Sequence, residues 1–123
     1  MKTTDYIARL LYNAVAKGEG LSLRLDGSEP TKGYVVGMAS YEMRLRGNAY
    51  DLVRAWVKRT REQIGYITSV DLVLGAWIDG DHIYFDVSEI ILDRTNAIDF
   101  GHANGQLAIY DIAAGETIRL DCE

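Results

Sequence analysis

The chain has one cysteine and one proline in 123 residues, and no lysine after Lys58. Each scarcity excludes something. With Cys122 alone, no disulfide can close within the chain, a composition that suits a reducing cytosol. With Pro30 alone there is no proline-rich linker, and no repeat or low-complexity stretch accompanies it. No apolar run nears the roughly 18 residues that a spanning helix needs, so no membrane role is expected. Asp5 and Arg9 interrupt the first apolar pattern, which is unlike a secretion signal. The missing lysines matter chemically. A nuclease of the carboxylate-plus-lysine kind needs a lysine beside its acidic pair, and the acidic half of this chain has none. A nucleophile elbow and a phosphate-binding glycine loop are also lacking. The sequence therefore assigns no catalytic residue, metal ligand set or cofactor, and the protein is expected not to be an enzyme.

What is present is a globular composition, 48% apolar and 25% charged, at the length of one domain, 1–123. The net charge of −5 is unevenly spread. Residues 1–66 hold eleven Lys/Arg against seven Asp/Glu, a balance of +4, whereas residues 67–123 hold two against eleven, a balance of −9. An acidic face steers toward basic surfaces on a partner protein; the same imbalance also serves solubility alone.

Periodicity orders the elements. Ile7, Leu10, Leu11, Ala14 and Val15 recur at helical spacing after a threonine cap, predicting a helix over Asp5–Lys17 that stops at Gly18. Leu21, Leu23 and Leu25 alternate with polar residues as a half-buried strand. Further strands are predicted at Tyr34–Ala39 and from Tyr41 to Leu45. Asn48 is placed as the cap of a second helix over Ala49–Ile64, with Leu52, Val53, Trp56, Val57 and Ile64 as its buried stripe. A strand over Val70–Ile78 leads to Asp79-Gly80, read as a two-residue hairpin loop with both central residues at positive φ. That loop would set Trp77 opposite His82 and Gly75 opposite Tyr84. A short helix capped by Asp93 or Thr95 ends at Asn104-Gly105, and two strands, Leu107–Ile112 and Thr117–Leu120, complete the chain. The order α-β-β-β-α-β-β-α-β-β specifies an α+β fold. It calls for a mainly antiparallel sheet of about six or seven strands, two main helices and one short one.

Gly75-Ala-Trp-Ile, the Tyr84-Phe-Asp-Val-Ser88 strand and Asn104-Gly-Gln-Leu-Ala-Ile-Tyr-Asp111 together resemble a family of small proteins of tailed phages and integrated elements. The resemblance covers about the C-terminal third. It implies the cytoplasm of a bacterial host and an accessory role, in which such a protein binds and inhibits or redirects a host protein, including a defence component. The family carries no established chemistry.

Three surfaces compete for that role. The first, favoured by charge, is a partner-binding set of Asp79, Asp81 and Glu89 around the hairpin with Trp77, facing a host protein with a basic surface. The second would sequester a small nucleotide-like ligand through Tyr84, Arg94, Asn104 and Gln106, with a homo-oligomer interface as the natural place for its pocket. The third is a nucleic-acid surface, if the row Arg54, Lys58 and Arg61 on the second helix joins Arg44 and Arg46 on the third strand. Asp79, Asp81, His82 and Asp86 are metal-ligand types, yet the hairpin accounts for the first two, and His82 and Asp86 stand roughly 13 Å apart along a strand. Tyr34, Tyr41, Trp77, Tyr84, Phe85, Phe100 and Tyr110 are expected to serve mainly as core, although a helix-free sheet face would turn some of them into a platform.

Overall fold

The computed structural model describes residues 3–38 and 40–121. Ala39, expected to end the second strand, and Cys122 lie outside the described residues. Among the described residues the chain forms three helices and seven strands in the predicted order. These are α1 (Thr4–Ala16), β1 (Leu21–Arg24), β2 (Tyr34–Gly37), β3 (Met43–Leu45), α2 (Tyr50–Ile64), β4 (Leu72–Asp79), β5 (His82–Ile91), α3 (Arg94–Ala103), β6 (Ala108–Asp111) and β7 (Glu116–Arg119).

All pairings are antiparallel, and the sheet runs β1-β4-β5-β2-β6-β7. The ten-residue β5 is its spine. One edge of β5 pairs with β4, and the other is shared between β3 near the hairpin and β2 further on.

Register decides which side chains share a face. Val36 stands opposite Glu89, and Glu89 opposite Leu72, so the three project to one side. Leu72 belongs to the main core, with Leu23, Leu74, Ala76, Phe85 and Val87 against α1 and α2. Val36 belongs to a smaller core with Ala97 of α3, Ile109 and Leu120. All three helices therefore lie on the same face of the sheet. Among the described residues the opposite face carries no helix.

Local chemistry explains the ends. Thr3 caps α1, its hydroxyl accepting from the Tyr6 N–H at 3.1 Å, and Asp93 caps α3 by accepting from Asn96 N–H at 2.8 Å. Asn48 is not the cap of α2. That position falls to Ala49, which makes no side-chain cap bond. Asn48 instead donates its amide to the Tyr12 carbonyl at 3.0 Å, tying the start of α2 to α1. There the Tyr12 ring meets Tyr50 edge-on at 5.6 Å, with the Arg9 guanidinium over the Tyr50 ring.

The buried stripe of α2 is Val53, Trp56, Val57, Thr60 and Ile64; Leu52 is 50% exposed and lies beside the stripe. Trp56 is the largest fully buried side chain. Its indole donates to the Tyr41 carbonyl at 2.7 Å, and Tyr41 holds a left-handed φ of 74°. That conformation breaks the strand expected from Tyr41, so β3 begins only at Met43.

The hairpin loop lies one residue later than predicted, which shifts every cross-strand partner by two. Asp79 pairs with His82, leaving Gly80 and Asp81 as the loop, and only Gly80 has positive φ, at 63°. This is the pattern with glycine at the first central position, which asks for one positive φ and leaves both aspartates in ordinary conformations. As a result Trp77 faces Tyr84, and Gly75 faces Asp86.

Candidate functional site

The helix-free face is hollowed into an open groove of about 620 Å³. Small residues make the hollow. Gly75 in β4 and Gly37 in β2 sit mid-sheet, and Ser22, Ser88 and Ala108 line the groove beside them. Glycine inside a strand allows close approach of another group, and both positions are used that way. A Cβ on Gly37 would fall 2.5 Å from Gln106 Oε1, so the Gln106 side chain lies over bare backbone. A Cβ on Gly75 would fall 2.7 Å from Asp86 Oδ1. Register aligns Ser22, Gly75 and Asp86 as one row across β1, β4 and β5.

Aromatic rings form the walls. Trp77, 41% exposed, stacks on Tyr84 with ring centroids 4.3 Å apart and planes 12° apart. Tyr110, 43% exposed, stands on β6 along the groove. These rings belong to the platform and not to the core, contrary to expectation; Phe85, of opposite parity, is fully buried. Strand alternation alone cannot reveal which parity the helices will cover.

Electrostatically the groove is one-sided. Its charged lining residues are Asp86 and Glu29, and no Lys, Arg or His lines it among the described residues. Burial raises the Asp86 carboxyl above the ordinary range, the Trp77 indole donor at 2.9 Å opposes that rise, and the charge of Glu42 adds to it. Asp86 has no ion-pair partner among the described residues. Ser88, 3% exposed, is the buried polar residue next along the same face.

The predicted sets are dispersed. Asp79 and Asp81 occupy the hairpin tip, where Asp81 Oδ1 meets His82 Nδ1 at 3.0 Å. Glu89 does not flank that tip. It pairs with Leu72 at the far end of the ladder, on the helix-covered face, and burial raises its carboxyl too. Of the ligand set, Gln106 reaches the groove and Tyr84 backs Trp77. Asn104 donates to the Phe100 carbonyl at 2.9 Å, and Arg94 opens α3 on the other side of the sheet.

The basic set is also divided. Arg44 pairs with Tyr84 and so projects on the helix-free face, whereas Arg54, Lys58 and Arg61 belong to α2 on the covered side. The α2 cations are engaged by Asp5, Glu62 and Thr4 respectively. Arg46 is exposed just past β3. Among the described residues no three His, Cys, Asp or Glu side chains are placed to hold a metal ion.

Sequence reasoning passed over Ser22, Gly37 and Ser88 as site residues and named Tyr110 only among the rings expected to serve mainly as core. The available signal was the pair of glycines inside strands, at positions where a β-former would otherwise be expected. No protein-family model, curated protein or solved structure matches the chain.

Proposed function

We propose that the protein is a non-catalytic binding module of a phage or mobile element. In this reading it acts in the host cytoplasm, and its helix-free sheet face receives a basic segment of a host protein that it inhibits or redirects. One observation carries the reading: an exposed aromatic groove that contains two carboxylates and no cation among the described lining residues. Aromatic rings supply large contact area at little entropy cost, and the uncompensated acids favour a positively charged occupant. The volume suits several side chains of an extended segment. A nucleotide-like ligand is less well served, because its phosphates would meet Asp86 and Glu29. A nucleic-acid surface is weakened by the division of the cations between two faces.

Photo-crosslinking tests this. A crosslinker at Thr117, on the groove, is expected to trap a host protein from lysate, and one at Glu62 on α2 is not. Trp77→Ala and Tyr110→Ala are expected to abolish the Thr117 product while leaving the fold intact, and high salt is expected to slow its formation. Trapping that ignores both substitutions, or that occurs equally from Glu62, overturns the reading.

A further inference from the structure

Asp86 is an unusual residue to find on this floor. Its carboxyl lies among Gly75, Ser22 and Trp77, drawn away from water and, among the described residues, without an ion-pair partner to balance it. A half-buried carboxylate costs free energy unless something compensates its charge, and among the described residues the Trp77 indole is its one side-chain donor. Charged groups on neighbouring elements do not help. Glu42, preceding β3, and Glu29, in the β1–β2 connection, are both acidic. Arg44 and His82 share the face but sit opposite and beside Tyr84, nearer the hairpin tip.

The two carboxylate oxygens are not equivalent. Oδ2 accepts the Trp77 indole at 2.9 Å, whereas Oδ1 lies over Gly75. Ser22 Oγ borders the same small space, 3.7 Å from the point where a Gly75 Cβ would be. A guanidinium is a planar fork that binds best to two parallel carboxylate oxygens, and one of these is already committed. An ammonium is a compact charge with three donors, and it suits a single carboxylate oxygen with a hydroxyl beside it. The Trp77 ring, with one side covered by Tyr84, adds an aromatic wall to which a cation is also attracted.

We propose that the part of the groove beside the Asp86 carboxylate, bordered by Ser22 and Trp77, is a receptor for one lysine side chain of the partner protein, its ammonium bound by Asp86 Oδ1 and Ser22 Oγ. The inference rests on the groove being the partner surface and names the group that is read there. Gly75 is required because a side chain there would displace the Asp86 carboxylate that reads the ligand. The Trp77 indole holds the carboxylate in place and leaves Oδ1 to the ligand.

The chain has two tryptophans, so an indole N–H spectrum of the labelled protein shows two signals, and Trp77→Phe identifies the one bonded to Asp86. The probes are short acetylated, amidated peptides with a central lysine, Nε-acetyllysine, norleucine or arginine, together with spermidine. The lysine peptide is expected to move the Trp77 signal saturably and the Trp56 signal little. Acetyllysine and norleucine are expected to bind about tenfold more weakly or worse, the scale of one hydrogen bond to a charged group. Arginine is expected to fall between them.

Asp86→Asn keeps an acceptor for the indole and is expected to lose the preference for lysine. Ser22→Ala is expected to weaken lysine binding in the same direction without touching Asp86. Equal binding of lysine and acetyllysine peptides, or full lysine binding by D86N, overturns the proposal. So does spermidine binding more tightly than the peptide, which would mark a site for free polyamines. The crosslink at Thr117 separates the two levels. If D86N still traps the partner and W77A does not, the groove reading stands and the lysine receptor falls. If neither substitution matters, both fall.

Discussion

Trp77 donates its indole N–H to Asp86 across the β4–β5 ladder, the two being diagonal neighbours on the helix-free face. The bond joins the most exposed tryptophan of the chain to a carboxyl that burial has pushed up. A group with that environment is a cost to the fold at neutral pH, and such costs concentrate where a site is kept ready for a ligand.

Because the Asp86 carboxyl is raised in the folded state, the unfolded chain releases that proton first. The contribution of Asp86 to stability therefore declines as pH rises from the unfolded carboxyl's range, about 4, through the higher folded value. Asp86→Asn is expected to be more stable than the parent at pH 7 and to lose that advantage near pH 3. Denaturant titrations at the two pH values measure it. A variant that is less stable at pH 7 would show the carboxylate to be structural.

Gly75 is expected to be intolerant of even one methyl group. In Gly75→Ala the new Cβ meets Asp86 Oδ1 at 2.7 Å unless the carboxyl moves, and the indole bond resists that movement. A loss of about 1–3 kcal/mol is expected, the usual range for overpacking. The same change in an Asp86→Ala background is expected to cost clearly less, and this coupling is read from a double-mutant cycle.

The helix-covered side makes a sharper contrast. Trp56→Ala is expected to destabilise by about 3–5 kcal/mol, since it leaves a cavity beside Phe85 and an unpaired Tyr41 carbonyl. Leu52→Ala is expected to cost no more than about 1 kcal/mol and Lys58→Gln less than about 0.5, because both side chains face solvent. Similar losses for Trp56 and Leu52 would contradict the assigned face of α2.

At the hairpin, only Gly80 needs the left-handed region. Gly80→Val is expected to cost about 1–2 kcal/mol. Asp79→Val, at a residue paired in the strand, is expected to be nearly neutral. Melting temperatures of the two variants decide it. Equal losses would mean that Asp79 also sits in the turn.

Much of the fold was legible from local pattern. Helix caps at Thr3 and Asp93, stops at Gly18 and Gly105, and strand alternation all act within a few residues of chain, so the order of ten elements and the α+β class follow from them. The two-residue loop was legible as well, but not which two residues, because Asp-Gly and Gly-Asp both satisfy a tight turn. Cross-strand packing made that choice, and it set Trp77 against Tyr84 and Asp86 against Gly75.

Tertiary structure alone decided which face the helices cover. Periodicity places Trp77, Tyr84 and Asp86 together but is silent on whether that parity is core or surface, since both faces of β4 and β5 carry apolar residues. Strand order made the rest. Ser22, Gly75, Asp86, Gly37 and Gln106 come from five separate stretches and meet only because β5 pairs with β4 on one edge and β2 on the other. No local interaction in the sequence encodes that meeting. It follows from burying one face of a seven-stranded sheet beneath three helices and leaving the groove on the other, with its glycines, free of them.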